Sequence, residues 1–415
     1  MSPCSMILHG GYGQKRGQRP PIYGALNFPS DRVMQIVDIK TYALESVLEQ
    51  PFAFSQGFVR KRSTTLVEVV TDEGLTGWGE AFNQGLEPPQ ISAAVVDHGL
   101  RPLLIGAEAL STEVNWHRMY GATRDYGRKG SVMAAISAVD IALWDIAGKA
   151  LGVPIYQLLG GAFRQRVQAY ATGFYRLGGA GEARRLVDEA LQHVEAGFSA
   201  MKIKLGFGLA DDRAVMEEIR RALGERSVSL MIDTNHAYGV ADAVRLGRAL
   251  EPLNLRWYEE PVAPENLSGY REVKAAVNIP IAGGENEHSV YGFRDLIGQH
   301  CVDIVQPDIG SAGGFTSCRH VIALAHAHGL QVVPHVWGSA VGQAAALQLV
   351  AAIPVANYGL AATEPIFEYD CSSHPMRSSL VAEPVQQRDG WIEIPSQAGL
   401  GVEIDREAIQ RYRIS

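Results

Sequence analysis

Four acidic residues end four successive short apolar runs: Asp233 in Leu-Met-Ile-Asp, Glu259 in Arg-Trp-Tyr-Glu, Glu285 in Ala-Gly-Gly-Glu and Asp308 in Ile-Val-Gln-Pro-Asp. They recur about every 25 residues, the length of one strand, one helix and two loops. In a parallel β/α barrel that spacing brings the strand ends together at the C-terminal mouth, where carboxylates from separate strands converge on one point. Convergent oxygen donors suggest a hard divalent cation. Lys202 and Lys204 end the run before this series, and His335 ends the run after it. A metal flanked by two possible bases reads as an active site.

The elements needed to hold these residues are visible along the chain. A length of 415 residues suits a barrel plus a smaller companion. Eight apolar runs at 167–171, 200–204, 230–233, 255–259, 279–282, 303–306, 331–334 and 365–368 alternate with helical patterns such as 243–250 and 321–327. Upstream, strand patterns at 36–39, 65–70 and 76–80 precede a helical stretch, 131–151, with Ile136, Val139, Leu143 and Trp144 on one face. The expected class is α/β, a (β/α)8-type TIM barrel with an N-terminal α+β capping domain completed by the C-terminal tail. The boundaries read as a flexible arm rich in Gly, Pro and basic residues over 1–33, a cap over 34–160, a modified barrel over 161–370 and a tail over 371–415. The run at 391–394 has no partner strand left in the barrel, so the tail is expected to pack on the cap.

A net charge of -8 and the lack of a basic stripe give no reason to expect nucleic acid. Cys4, Cys301, Cys318 and Cys371 have neither zinc-site nor disulfide-framework spacing, which suits a reducing cytoplasm. No apolar run approaches the ~20 residues of a membrane span. The expected partners are a small-molecule carboxylate substrate and further copies of the chain as a homo-oligomer, with neither nucleic acid nor membrane.

Seven motifs stand in order: Ser137-Ala138-Val139-Asp140-Ile141-Ala142-Leu143-Trp144-Asp145, Lys202-Ile203-Lys204, Asp233-Thr234-Asn235, Trp257-Tyr258-Glu259-Glu260-Pro261, Gly284-Glu285-Asn286, Gln306-Pro307-Asp308 and Pro334-His335-Val336-Trp337-Gly338. Together they resemble the mandelate racemase group of the enolase superfamily, over everything from about Met34 onward. Within it, the stretches 202–208, 233–238 and 364–370 are similar to the acid-sugar branch of galactarate-type dehydratases and galactarolactone cycloisomerases. The resemblance implies Mg2+ held by Asp233, Glu259 and Glu285, where it stabilises the enediolate formed when the proton α to a carboxylate is removed. It also implies that Lys202 contacts the substrate carboxylate, that Glu368 donates a hydrogen bond to it, and that Glu260 and Asn235 orient the site.

Lys202 and Lys204 share a strand face, so like-charge repulsion is expected to lower one pKa and make Lys204 a usable base. Asp308 at the end of strand six neighbours His335 at the end of strand seven, an arrangement suited to a His-Asp dyad rather than a fourth metal ligand. His236 and Trp337 stand beside these motifs as possible substrate contacts. Two cap loops could cover the mouth: Phe54-Ser55-Gln56-Gly57-Phe58, with two aromatics, and Arg124-Asp125-Tyr126-Gly127-Arg128, with cationic groups for an anionic substrate end.

The expected function is magnesium-dependent α-proton abstraction followed by dehydration of an acid sugar. Lactone cycloisomerisation and racemisation of a 2-hydroxy acid remain open. Dipeptide epimerases and muconate-lactonising enzymes of the superfamily carry Lys where this chain has Asp308, which disfavours both. A non-catalytic sugar-acid binder is expected to have lost a base, yet Lys204 and His335 are both present. A metal-dependent aldolase usually includes histidine ligands, and three carboxylates argue against it.

Overall fold

Runs of β-branched and aromatic residues form an antiparallel meander, β1 (Ile36–Phe54), β2 (Gly57–Thr71) and β3 (Thr76–Ala81). The computed structural model describes residues 33–178, 182–357 and 359–414, so the expected arm lies outside the described residues apart from Val33. Ser55 and Gln56 form the two-residue tip between β1 and β2, where Phe54 pairs with Gly57. Against this sheet lies the helix Ser131–Leu151. A Cβ on Gly77 or Gly79 would stand 2.0 Å from Ala142 O or 1.9 Å from Ala138 O, so only glycine lets β3 approach the helix backbone this closely.

The single apolar face expected on this helix is in fact burial all round, unbroken from Met133 to Gly148. The helix has the cap sheet on one side and barrel loops on the other: Trp144 Nε1 donates to Thr316 Oγ1 (2.9 Å) and Ser137 Oγ accepts from Gly313 N (2.8 Å). It is also long and apolar enough to cross a membrane, contrary to the expectation that no such run exists, but it is a core helix of this fold.

The second sheet is a curled parallel array of β4 (Arg166–Gly173), β5 (Ala200–Lys204), β6 (Ser229–Asp233), β7 (Tyr258–Glu259), β8 (Ile281–Gly283), β9 (Ile304–Val305), β10 (Gln331–Val332) and β11 (Phe367–Asp370), with β11 next to β4. These match the eight expected runs. Each strand position contributes one side chain to an interior layer running from Tyr170 round to Ile366, the packed centre of a barrel. Seven helices alternate with the strands among the described residues; the short helix Pro375–Ser379 follows β11 in place of a full eighth. No ladder joins β10 to β11. Gln331 Nε2 to Glu364 O (3.3 Å) and Val336 N to a Glu368 carboxylate oxygen (3.0 Å) bridge the seam.

The tail departs from expectation in one respect. β12 (Trp391–Glu393) does find a barrel partner, pairing antiparallel with the start of β4 at Arg166–Gln168, which has a free edge below the mouth. The chain then crosses to the cap as expected, where Arg406 Nη2 meets Glu68 Oε1 (2.6 Å) and Ile414 N donates to Ala43 O (2.9 Å). Residues from Met34 onward thus form one contact unit.

Candidate active site

Strand register sets the first half of the site. Lys204 pairs with Asp233, and Asp233 with Glu259, so three charged groups stand side by side at the ends of β5, β6 and β7, with Glu285 two residues beyond β8. Donor oxygens of Asp233, Glu259 and Glu285 lie within 4.8 Å of one another, all three residues being buried. Glu259 is saturated, meeting Lys202 Nζ (2.5 Å) through one oxygen and accepting from Trp257 Nε1 (2.8 Å) and Gln306 Nε2 (2.7 Å) through the other. Burial pushes it up to about 7, helped by the charges of Asp233, Glu368 and Glu285 and opposed by Lys202. Glu285 Oε2, by contrast, accepts no hydrogen bond. A buried carboxylate oxygen without a donor is costly, and three converging carboxylates offer only hard oxygen ligands, so the cluster fits a divalent cation such as magnesium.

The two lysines are fully engaged. Lys204 Nζ lies 2.5 Å from Asp233 Oδ2 and 3.1 Å from Asn235 Oδ1; Lys202 Nζ lies 2.5 Å from Glu259 and 2.7 Å from Glu368. Lys202 pulls Lys204 down, as the sequence suggests, but the net shift of Lys204 is upward. Burial acts to lower both ammonium groups but is outweighed, for Lys204 chiefly by Asp233 and for Lys202 by Glu259 and Glu368. Lys202 faces carboxylates of the protein at 0% exposure, which leaves it no contact with the cavity described below.

Opposite the lysines, His335 Nδ1 lies 2.7 Å from Asp308 Oδ2, and its Nε2 lies 3.5 Å from Glu285 Oε2. Asp308 also accepts from Gly310 N (2.7 Å) and stays out of the carboxylate cluster, as the dyad reading requires. Burial alone would lower the imidazole, yet Glu285, Glu368 and Asp308 raise it to about 10. Burial raises the Glu368 carboxyl, but Lys202, His335 and Lys204 together hold it down at about 2, and it accepts from Thr172 Oγ1 (2.8 Å) and Val336 N (3.0 Å); donation to a substrate carboxylate would require it to gain a proton.

Lys204, Asn235, Glu285 and His335 line one cavity with Phe54 and Trp337, all anticipated, and with Phe82, Gln84 and Tyr175, which were not. The β1–β2 tip does reach this mouth: Ser55 Oγ donates to Thr234 O (2.9 Å) and Gln56 Nε2 to Asn235 O (2.7 Å). Arg124 and Tyr126 do not. They sit past the outer end of the cap helix Thr112–Thr123, Tyr126 being 68% exposed, and the contact from this loop comes from Lys129, which pairs with Glu287 (2.9 Å). His236 is half-buried and outside the cavity lining; its backbone N–H donates to Glu260 O (2.9 Å). Asn235, His236 and Glu260 hold positive φ of 41°, 53° and 44°, a cluster of uncommon backbone conformations beside the carboxylates. Trp257 could have been found from sequence, because it stands two residues before Glu259 on the same strand face. Phe82 could not, since it arrives from another sheet.

Residues 37–160 match the mandelate racemase / muconate lactonizing enzyme N-terminal domain, and residues 185–408 match the enolase C-terminal domain-like family. A D-galactarolactone cycloisomerase of Agrobacterium fabrum is 40% identical over 92% of this chain and 99% of its own. The solved 3,6-anhydro-D-galactonate cycloisomerase of Zobellia galactanivorans is 36% identical, with a TM-score of 0.82 over 92% of this chain and all of its own. An L-talarate/galactarate dehydratase variant, solved with magnesium and L-glucarate, is 27% identical, with a TM-score of 0.83 over 95% and 96% of the two chains. With both halves matched and cap, barrel and strand-end carboxylates all present, the chain belongs to the mandelate racemase group of the enolase superfamily.

Proposed function

We propose that the chain removes the proton α to the carboxylate of an acid sugar and then expels an oxygen substituent from the neighbouring carbon. The carrying observation is that Lys204 and His335 line one cavity at opposite ends of the carboxylate cluster, one against Asp233 and the other near Glu285. Asp233, Glu259 and Glu285 would hold a magnesium ion, which when bound supplies Lewis-acid stabilisation of the negative charge that builds on the substrate carboxylate.

The remaining work belongs to side chains. Whatever engages the Asp233 carboxylate weakens its hold on the Lys204 proton, and Lys202 behind it disfavours a second positive charge, so Lys204 becomes able to take a proton. His335, held by Asp308 through Nδ1, presents Nε2 to the cavity, and in the protonated form that the Asp308 carboxylate favours it is able to deliver a proton to a departing oxygen. Phe54, Phe82 and Trp337 keep water from the carbanionic intermediate.

The expelled oxygen distinguishes two outcomes. Loss of a free hydroxyl is dehydration of an open-chain acid; loss of a ring oxygen opens a lactone or an anhydro sugar. The dehydratase reading is supported by dehydratases among the relatives, and the ring-opening reading by cycloisomerases such as those of Agrobacterium fabrum and Zobellia galactanivorans. A panel of aldonic acids, aldaric acids and their lactones, assayed with magnesium for 2-keto-3-deoxy products, tests both. Turnover of a panel member is expected, and the class that reacts names the outcome. No turnover across the panel, with racemisation of an N-acyl amino acid instead, overturns the proposal.

A further inference from the structure

The catalytic groups come from the barrel, yet the loop that carries His335 is built around a carboxylate from the cap. Glu80 on β3 is 1% exposed. One of its oxygens accepts from Ser339 N (2.8 Å), and the other from Ser339 Oγ (2.5 Å) and Gly342 N (2.7 Å). Ser339 is four residues beyond His335 and caps the helix Ala340–Ala351. A Cβ on Gly338 would lie 2.6 Å from Glu80 Oε1, and one on Gly342 3.1 Å from its carboxyl carbon, so the loop from His335 into the helix closes around this one side chain. The carboxylate accepts the N–H groups of a helix start, where negative charge is favoured.

Two residues on, just past the end of the strand, Phe82 completes the grip. Its ring meets the His335 imidazole edge-on at 5.4 Å and 69°, and its N–H donates to Gly310 O (3.0 Å), two residues after Asp308. Both loops of the dyad are therefore fixed by one cap strand, and that strand is fixed in turn by the close approach of Gly77 and Gly79 to the helix Ser131–Leu151. We propose that Glu80 is a positioning residue for His335: it sets the 335–339 loop so that the imidazole meets Asp308 and faces the cavity at once. The inference rests on the two-base reading above.

Glu80→Gln keeps the volume but replaces an acceptor oxygen with an amide NH2, which cannot accept from Ser339 or Gly342. In the magnesium-loaded full chain, kcat should fall ~10–100-fold, the scale set by small displacements of a catalytic group, with KM nearly unchanged. The loss should fall in the same half-reaction, α-hydrogen exchange or product formation, that His335→Asn loses. The double variant should be no slower than His335→Asn alone, because the residues act as one unit. Glu68→Gln is the control: Glu68 is another buried carboxylate of the cap, on β2 and bonded to Tyr42 and Arg406, with no contact to the dyad loops, so its effect should multiply with that of His335→Asn. A proton NMR signal far downfield, from His335 Nδ1–H bonded to Asp308, should be present in the wild type and Glu68→Gln and lost in Glu80→Gln. Should Glu80→Gln fail to fold, Ser339→Ala, which removes one donor to Glu80, should show the same pattern several-fold weaker. A folded Glu80→Gln with wild-type kcat and an intact downfield proton overturns the proposal, as do multiplying effects of Glu80→Gln and His335→Asn. If instead the wild type turns over no acid sugar, the functional reading fails, and the downfield proton alone still decides the role of Glu80.

Discussion

At the ends of β5 to β8, Lys202, Lys204, Asp233, Glu259 and Glu285 are all ionisable and all buried, whereas over them the cap lays Phe52, Phe54 and Phe82, packed with Tyr175 and Trp337. One region makes charge and the other makes the dry surroundings in which charge acts strongly. Neither is sufficient alone: without the roof, water screens the lysines and carboxylates, and without the strand ends the roof encloses nothing reactive. The cap meets the barrel through polar groups as well, by way of Ser55, Gln56 and Glu80, so the two regions are matched residue by residue.

The comparison breaks most cleanly at the carboxylates. Glu259→Gln is expected to lower kcat/KM by more than ~10³-fold, and chelation followed by magnesium should abolish and then restore wild-type turnover. Full activity in metal-free protein would remove the barrel mouth from the chemistry. The two bases come next. Lys204→Ala and His335→Asn should each lose product formation by ~10²–10³-fold, and in deuterated water at least one should keep exchanging the α-hydrogen. Wild-type turnover by His335→Asn means the dyad is structural.

The roof should matter less, and differently. Trp337→Ala removes the ring that meets Phe82 edge-on and whose Nε1 donates to Tyr175 OH (2.7 Å). A loss of ~10-fold in kcat/KM is expected from water admitted to the site, and a loss as deep as that of Glu259→Gln would erase the distinction between charge-making and charge-sheltering regions. The smallest effect on catalysis belongs to the outer side of the cap. Glu68 is buried under Arg406 and Tyr42; burial raises its carboxyl, but hydrogen bonds from both partners bring it below its ordinary 4.5. A depressed folded-state pKa stabilises above the unfolded value and ceases to do so as pH falls through the folded one. Glu68→Gln should therefore cost about 1–2 kcal/mol near pH 7, measured by urea unfolding, with the gap closing below pH 4.5 and activity within about twofold of wild type.

The same division governs what could be read from the chain. Asp233, Glu259 and Glu285 are legible because each stands at or just past the end of its own strand and a parallel barrel aligns strand ends without further information. The Asp308–His335 pair is legible because strands six and seven are neighbours in order. The protonation states were not: Lys204 depends on Asp233 at 2.5 Å and Glu368 on Lys202 at 2.7 Å, distances that no spacing in the sequence gives. Phe82 and Glu80 were missed because they act from the cap across to the barrel, where local pattern is silent, and Tyr175 because it lies just past β4 with no motif of its own. Arg124 and Tyr126 were placed over the mouth by charge and aromaticity alone, and the packing of their helix turns them outward. The tail run at 391–394 was visible but its partner was not, because that partner is the early part of β4, a stretch read only as a barrel strand.

The seam between β10 and β11 has its own consequence. Backbone hydrogen bonds tie every other adjacent pair of barrel strands, but here the ring is joined by side chains, by Gln331 to Glu364 O and by Glu368, one oxygen on Val336 N and the other against Lys202. The charges that define the mouth therefore also act as a staple, and the wall can breathe at this line without breaking a ladder. Amide hydrogen exchange should be faster along β10 and β11 than in β5 and β6, and Lys202→Met should speed it there first. A variant chosen to alter chemistry would then also loosen the vessel in which the chemistry takes place.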